Sequence, residues 1–354
     1  LILSAGFTRP LAPHRGSDKL QGRGIRAACL QQRCRPTFGS EETVCGMISP
    51  MTDESYPAYL ALASRGELRG RAENALHHLH KCDLCARRCH VDRLMATRGA
   101  ACRSGERAVV CSFGPHFGEE SPLVGRQGSG TIFFSGCNLN CVFCQNWEIS
   151  QQGEGKETSQ AELAGIMLGL QARGCHNINL VTPSHVVPQF LAALALAAEQ
   201  GLRLPIVFNT GGYDSQEALT LLEGVVDVYM PDMKFAGSAT ARPYLGVADY
   251  AEVNRAVVLE MHRQVGDLQL DSAGVARRGL LVRHLVLPEN LGGTDRILDF
   301  LARDVSPNTY LNLMDQYRPC YRAEHYPPLD RRPTRGEFQA AVTMARRLGL
   351  TRLG

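Results

Sequence analysis

Three cysteines stand close together at Cys137, Cys141 and Cys144, in the run Gly130-Thr-Ile-Phe-Phe-Ser-Gly-Cys-Asn-Leu-Asn-Cys-Val-Phe-Cys-Gln-Asn146. They are spaced x3 and x2, and the apolar stretch Thr131 to Phe134 reads as a buried strand that delivers them into a loop. Three thiolates from one short loop can hold three corners of an iron–sulfur cube. A cubane that only carries electrons takes four cysteines, so a three-cysteine loop leaves one iron open to another ligand. A zinc site, or reduced thiols of a core, is the other reading of the same residues.

A second group lies upstream. Cys82, Cys85, Cys89 and Cys102 follow one another at x2, x3 and x12. Four such cysteines suit a tetrahedral zinc that staples a segment too small for its own core, or equally a second iron–sulfur cluster. Haem attachment is excluded, because Cys-x2-Cys is not followed directly by His. Thirteen cysteines in tight groups fit metal or cluster binding in a reducing compartment better than a secreted disulfide framework.

With Phe143 in the aromatic slot, Cys137-x3-Cys141-x-Phe-Cys144 resembles the signature of the radical S-adenosylmethionine (SAM) superfamily. More narrowly, Phe134 to Asn146 is similar to proteins named after pyruvate formate-lyase activating enzyme. The resemblance implies a [4Fe-4S] cluster whose free iron binds the amino and carboxylate groups of SAM, with Phe143 near the adenine. It also implies that one electron from the reduced cluster breaks the C5′–S bond, and that the 5′-deoxyadenosyl radical removes a substrate hydrogen. An electron donor such as flavodoxin or ferredoxin is implied with it. The substrate stays open between a glycine of a partner protein, as for a glycyl-radical-enzyme activase, and a small molecule or another protein residue. A non-catalytic iron–sulfur or zinc module is the reading from a different class. Activating enzymes with extra clusters carry them after the signature loop, whereas here the extra cysteines precede it.

Strands must position these residues, and the chain supplies them in alternation with helices. Apolar runs at 131–134, 177–181, 206–208, 225–230, an arm ending near Leu287-Pro288, and 310–313 read as six strands. Helices between them are marked by Ser159-x2-Glu162 ahead of Leu163, Ile166, Met167 and Leu170, by Pro183-Ser-His185, by Asp214-x2-Glu217, and by the one-sided stripe Tyr250 to Val265. Alternation of this kind argues for an α/β fold with a parallel sheet wrapped by helices. Periodicity does not separate an open doubly wound sheet from a barrel; the resemblance implies a partial (βα)6 TIM-type barrel with the cluster loop after its first strand.

In such barrels function gathers where strands end. The resemblance therefore directs attention to Thr182 and His185 after the second strand, where relatives carry a Gly-Gly-Glu-like motif that this chain lacks. Thr210, Gly211 and Gly212 follow the third. Asp232-Met-Lys234 follows the fourth and is similar to the Asp-x-Lys of glycyl-radical activating enzymes, where Asp232 with Thr210 would help hold a monovalent cation. Asn209 stands where those enzymes often have Asp. Arg283, on the fifth strand, matches an arginine that contacts the cofactor, and its planar fork suits a carboxylate or ribose. The stretch Cys111 to Pro122 is rich in Pro and Gly and reads as a solvated bridge, with His116, Glu119 and Glu120 facing the active site as the other reading.

Composition bounds the rest. Residues 1–50 hold seven Lys/Arg against three Asp/Glu, so they carry +4 of the net +3 and the remainder is −1. Nucleic-acid binding gains no support from that remainder, and no run approaches a membrane span. The expected organisation is a disordered or non-native extension over 1–50, with Met47 or Met51 as the natural start, a helix and Cys-rich metal segment over 51–110, the partial barrel over 111–318, and a helical tail over 319–354. The expected location is cytoplasmic.

Overall fold

The helix expected ahead of the Cys-rich segment within 51–110 resolves into α1 (Tyr59–Ser64) and α2 (Glu67–His77), because Gly66 between them takes φ 74°, a left-handed conformation that ends one helix and starts another. The computed structural model describes residues 56–354. Expectations for residues 1–50, including Cys29, Cys34 and Cys45, lie outside the described residues.

Residues 80–105 run with little regular structure into β1 (Ala108–His116), α3 (Ser121–Val124) and β2 (Ser129–Phe134). The stretch from Cys111 to Pro122 is thus a strand and a helical turn rather than a solvated loop. Its Gly114 and Pro115 look like strand breakers, yet Pro115 lies where β1 has a neighbour on one side only. There β2 pairs antiparallel along 110–116, whereas β3 (Lys156–Thr158) pairs only with 108–110, so the missing proline N–H interrupts no ladder.

Then come α4 (Gln160–Ala172), β4 (Ile178–Val181), α5 (Val187–Glu199), β5 (Ile206–Thr210), α6 (Gln216–Leu222) and β6 (Val228–Pro231). After them run α7 (Ser238–Leu245), α8 (Tyr250–Val265), β7 (Gln269–Leu270), β8 (Ala276–Leu285), α9 (Thr294–Phe300), β9 (Tyr310–Met314) and α10 (Arg335–Arg347). The Ser159/Glu162 capping box forms as read, with Glu162 N donating to Ser159 Oγ (3.2 Å) and Ser159 N to Glu162 Oε2 (2.8 Å). At α6 the cap is Ser215, which accepts from Ala218 N at 3.2 Å. Asp214 is instead buried beneath Thr210.

Strands β2, β4, β5, β6, β8 and β9 pair in parallel in that order. Antiparallel β1 and β3 extend the β2 edge, and β7 pairs antiparallel with β8. The fold is mixed α/β with a parallel-rich sheet, consistent with an open partial barrel. Alternation along each strand divides its side chains between two faces. Ile178, Leu180, Ile206, Phe208, Tyr229, Leu280 and Val282 meet the surrounding helices in the main core. Val207, Val228, Met230 and Leu281 face the other way and close around Leu123 of α3 in a separate apolar layer. Asn209 and Arg283 share that inner face two residues further along their strands. No helix among the described residues is long and apolar enough to cross a membrane.

Candidate active site

Strand β2 is buried over its whole length, and the three-cysteine loop leaves from its end. Gly136 takes φ 84°, and a Cβ there would lie 2.5 Å from the Cys102 carbonyl oxygen, so the segment behind the loop leaves no room for a side chain. Backbone hydrogen bonds fix the loop from two further sides. Asn140 N donates to Leu245 O (3.0 Å) and Val142 N to Tyr244 O (2.9 Å) at the end of α7, while Arg322 N donates to Val142 O (2.9 Å). The buried Asn138 donates Nδ2 to Tyr213 O at 2.7 Å, and Arg87 Nε donates to Asn138 O at 2.7 Å.

Cys137, Cys141 and Cys144 line one cavity together with Phe143, Thr182, Thr210, Gly211, Asp232, Lys234 and Arg283. Burial foremost, helped by Cys144, pushes the Cys137 thiol up to about 11. Burial moves Cys141 further in the same direction, with Lys234 pulling against it. Such thiols resist ionising alone and become thiolates when a multivalent cation takes the place of their protons. Phe143 packs edge-on to Tyr317 (centroids 6.2 Å apart) and tilted against Phe235 (6.1 Å), which fixes its ring beside the thiols.

Opposite the thiols runs a chain of buried charges. Lys234 Nζ donates to Asp232 Oδ2 at 2.6 Å, and Arg283 Nε to Asp232 Oδ1 at 2.9 Å. Arg283 Nη2 donates to Asn209 Oδ1 at 2.7 Å, and Nη1 lies 3.5 Å from Glu120 Oε1. Burial pushes the Asp232 carboxyl up, but Arg283 and Lys234 outweigh it and hold the group below the usual carboxylate range. Burial likewise opposes the charge on Lys234, and Asp232 reverses it, keeping the ammonium charged. Behind them, Tyr250 Oη accepts from Lys234 N (3.1 Å), and Asn254 Nδ2 donates to both Gly212 O (3.0 Å) and Asp232 O (2.9 Å). These two α8 side chains tie the β5 and β6 ends together.

Two further carboxylates enter from the turn after β1. Glu119 and Glu120 both line the cavity with their side chains buried, 0% and 7% exposed. Burial, then the neighbouring Glu120, raises the Glu119 carboxyl to about 7. Thr182 also lines the cavity with φ 61°, a left-handed conformation that is strained for a β-branched residue. Its N–H donates to Asn209 O at 2.9 Å.

Comparison with known proteins bears on this arrangement. The Radical SAM superfamily description matches residues 131–258, from β2 into α8. Uncharacterized protein MJ0674 of Methanocaldococcus jannaschii is 33% identical over 288 residues, which is 79% of this chain and 78% of that protein. The chain belongs to the radical SAM superfamily. Solved structures with partial likeness include a radical SAM methyltransferase from Sphaerobacter thermophilus, at 13% identity and TM-score 0.40, covering 62% of this chain and 64% of that one. A structure of TYW1 with a lysine-pyruvate adduct bound is similar at 13% identity and TM-score 0.30, covering 48% and 59%. The chain thus spans less than two thirds of either structure.

Membership implies a [4Fe-4S] cluster and SAM, and the residues of this radical SAM protein fit both. Among the described residues, no three His, Cys, Asp or Glu side chains are near enough to share one metal ion. A cubane makes a different demand, since each cysteine takes a separate iron at its own corner. The cavity wall beside the thiols also carries a buried polar atom with no partner, Asn209 Nδ2, as a wall shaped for a polar guest does.

Of the residues singled out from the sequence, the fold brings Phe143, Thr182, Thr210, Gly211, Asp232, Lys234 and Arg283 to the cavity with the three cysteines. The Thr210 hydroxyl is already engaged, donating to Asp214 Oδ2 at 2.7 Å and meeting Ser184 Oγ at 3.0 Å. His185 is not among the lining residues. It is buried behind the loop, its Nε2 2.8 Å from Ser135 O, and burial followed by the Arg93 charge lowers it to about 4. It caps no helix, since α5 begins after Val186. Gly212 is also behind the wall, where a Cβ would strike Asn254 Nδ2 at 2.2 Å.

The Cys82, Cys85, Cys89 and Cys102 group packs against the back of the loop and does not reach the cavity. Arg93, 2% exposed, donates to Ser104 O (2.8 Å), Gly105 O (3.1 Å) and His185 O (2.8 Å), and its Nη1 lies 3.7 Å from Cys82 Sγ. Glu119 and Glu120, singled out from the sequence as the other reading of the Cys111 to Pro122 stretch, do line the cavity. Tyr250 and Asn254 carried no usable signal, since they looked like ordinary positions of an amphipathic helix.

Proposed function

We propose that this radical SAM protein abstracts a hydrogen atom from a substrate held in the cavity between the cysteine loop and the Asp232–Arg283 wall. Cys137, Cys141 and Cys144 would hold the [4Fe-4S] cluster, and Phe143, Thr182, Gly211, Asp232, Lys234 and Arg283 would contact SAM. When bound, cluster and SAM together supply a 5′-deoxyadenosyl radical at the expense of one electron from a flavodoxin- or ferredoxin-type donor. The chain's own part is positioning and exclusion. Arg283, held by Asp232 through Nε, by Asn209 through Nη2 and by Glu120 through Nη1, brings its positive charge to the cavity wall, where it would face the carboxylate or ribose oxygens of SAM. Lys234 stays charged beside the thiols and offsets negative charge gathered there. The packed aromatic rings of Phe143, Phe235 and Tyr317 keep water from that side.

The observation that carries this reading is the meeting of three cysteines from one loop with Asp232 and Lys234 from the end of β6 and Arg283 from β8 around a single cavity. A small polar substrate suits the cavity better than a backbone glycine does, because a glycine brings no side chain to the buried, partnerless atoms of Glu119 and Asn209. Activation of a glycyl-radical enzyme is the second reading, favoured by Asp232-Met-Lys234. Anaerobic reconstitution followed by dithionite reduction tests the proposal. Expected are an iron–sulfur EPR signal altered by SAM and formation of 5′-deoxyadenosine; absence of both refutes it. Adding candidate partner proteins then distinguishes the readings, since a glycyl radical EPR doublet on the partner would select the second.

A further inference from the structure

The inner end of the cavity is built from charged groups that do not balance. Glu119, Glu120 and Asp232 supply three carboxylates, whereas the cations facing them are Arg283 and Lys234. Lys234 is committed to Asp232, and Arg283 bridges Asp232 and Glu120, so Glu119 is left over. Neither of its carboxylate oxygens has a hydrogen-bond partner of ordinary geometry. The Arg283 charge and the Asn179 side chain act on it from within the wall, and His116 Nδ1 is 3.9 Å away. Glu120 uses Oε1 toward Arg283 and Asn312 Nδ2 (3.2 Å), while Oε2 has no partner. Burying a carboxylate this way costs several kcal/mol unless a proton or a cation answers it. Burial accordingly raises Glu119 to about 7.

At the cavity the atoms left without partners are mostly acceptors: Glu119 Oε1 and Oε2 and Glu120 Oε2, against the amide nitrogen of Asn209. A guest that satisfies them must bring several N–H donors and one positive charge. The apolar layer of Leu123, Val207, Val228 and Leu281 lies beneath, so the guest is bounded in depth.

We propose that Glu119 and Glu120 are the substrate-recognition pair of this site and bind an ammonium or guanidinium group of a small substrate. This rests on the reading of the cavity as a radical SAM active site. SAM also carries an ammonium group, and the test separates the two sources.

The full chain, anaerobically reconstituted, is compared with Glu119→Gln and with Glu120→Gln, both near-isosteric. The dissociation constant of SAM is measured first. It is expected to stay within about twofold in each variant, and weakening of about tenfold or more overturns the proposal by assigning the pair to the cofactor. Thermal midpoints of the SAM complex are then followed against methylguanidinium and propylammonium, with urea and 1-propanol as uncharged counterparts. A saturable rise with the cations only, lost in both variants, is expected. An equal response to charged and uncharged probes, no saturable response to the cations, or an undiminished response in the variants overturns it. Without any guest, Glu119→Gln is expected to raise the midpoint by about 2 °C, as removal of an unanswered buried charge should. A lowered midpoint would mark Glu119 as structural and sink the proposal. If the wild type binds no SAM at all, it is the underlying reading that fails, and that result precedes every comparison of variants.

Discussion

The two cysteine groups look alike on paper and differ in what surrounds them. Cys137, Cys141 and Cys144 face an open cavity and a wall of alternating charges. Cys82, Cys85, Cys89 and Cys102 are enclosed behind the same loop, next to a buried arginine whose partners are carbonyl oxygens and one sulfur rather than a carboxylate. Each site contains a buried guanidinium. Arg283 belongs to a network of ionised side chains that a ligand can enter, whereas Arg93 fastens residues 82–105 to the start of α5. The first site lines a cavity that a ligand can enter; the second lies outside that cavity and is held from behind by Arg93.

The largest break in this comparison would come from Cys141→Ala. It should remove about four irons per chain and reduce 5′-deoxyadenosine formation to background, with the far-UV spectrum unchanged. Cys85→Ala should do the opposite, costing about 1–3 kcal/mol in chemical unfolding through loss of a buried side chain while the cluster EPR signal per folded chain persists. A missing EPR signal in folded Cys85→Ala would show that the two groups act as one.

Next are the two arginines. Arg283→Met should leave Asp232 short of a partner and cost about 3–5 kcal/mol, together with a SAM affinity weaker by at least about tenfold. Arg93→Met strands three carbonyl oxygens and should cost about 3 kcal/mol with SAM affinity, measured on the folded fraction, held within about twofold. Equal effects on SAM affinity would erase the distinction.

Acid stability sharpens the contrast further. His185, behind the loop, is lowered to about 4, so the folded state keeps it neutral while the unfolded chain protonates it below its usual value of 6.5. Stability from this group is therefore present above pH 6.5 and lost as pH falls toward 4, on the order of 3 kcal/mol in all. Glu119, in the cavity, is raised to about 7 from 4.5 and acts with the opposite sign: the folded state holds the proton, and stability falls as pH rises from 4.5 to 7. Unfolding curves across pH 4–8 should show the acid-side loss diminished in His185→Gln and the rise-side loss diminished in Glu119→Gln.

The smallest effect is expected at Thr182. Thr182→Gly relieves a left-handed conformation and should shift stability by no more than about 1 kcal/mol in either direction, since glycine's greater freedom in the unfolded chain offsets the strain removed.

Much of the site was legible in one dimension. The spacing of Cys137, Cys141 and Cys144 after a buried strand is local, so chain geometry alone places three thiols in one loop. The six strands were equally readable, because each is a short apolar run with its own turn signals, and Ser159-x2-Glu162 capped α4 as its pattern required. Asp232, Lys234 and Arg283 were found through the resemblance to relatives carrying an Asp-x-Lys after the fourth strand and an arginine on the fifth, and the structure brings all three to the cavity.

Tertiary structure alone decided the rest. Whether a buried group meets a cavity or a neighbour depends on residues distant in sequence. His185 and Gly212 thus lie behind the wall, sealed by Ser135 and Asn254, and Asp214 binds Thr210 while Ser215 caps the helix. Glu119 and Glu120 follow a strand disguised by Gly114 and Pro115, and only the pairing of β1 with β2 turns their carboxylates inward. Spacing determined where thiols could gather; packing determined which of them face a cavity and which charges stand opposite, because burial and unsatisfied polarity are properties of surfaces brought together and not of any stretch of chain.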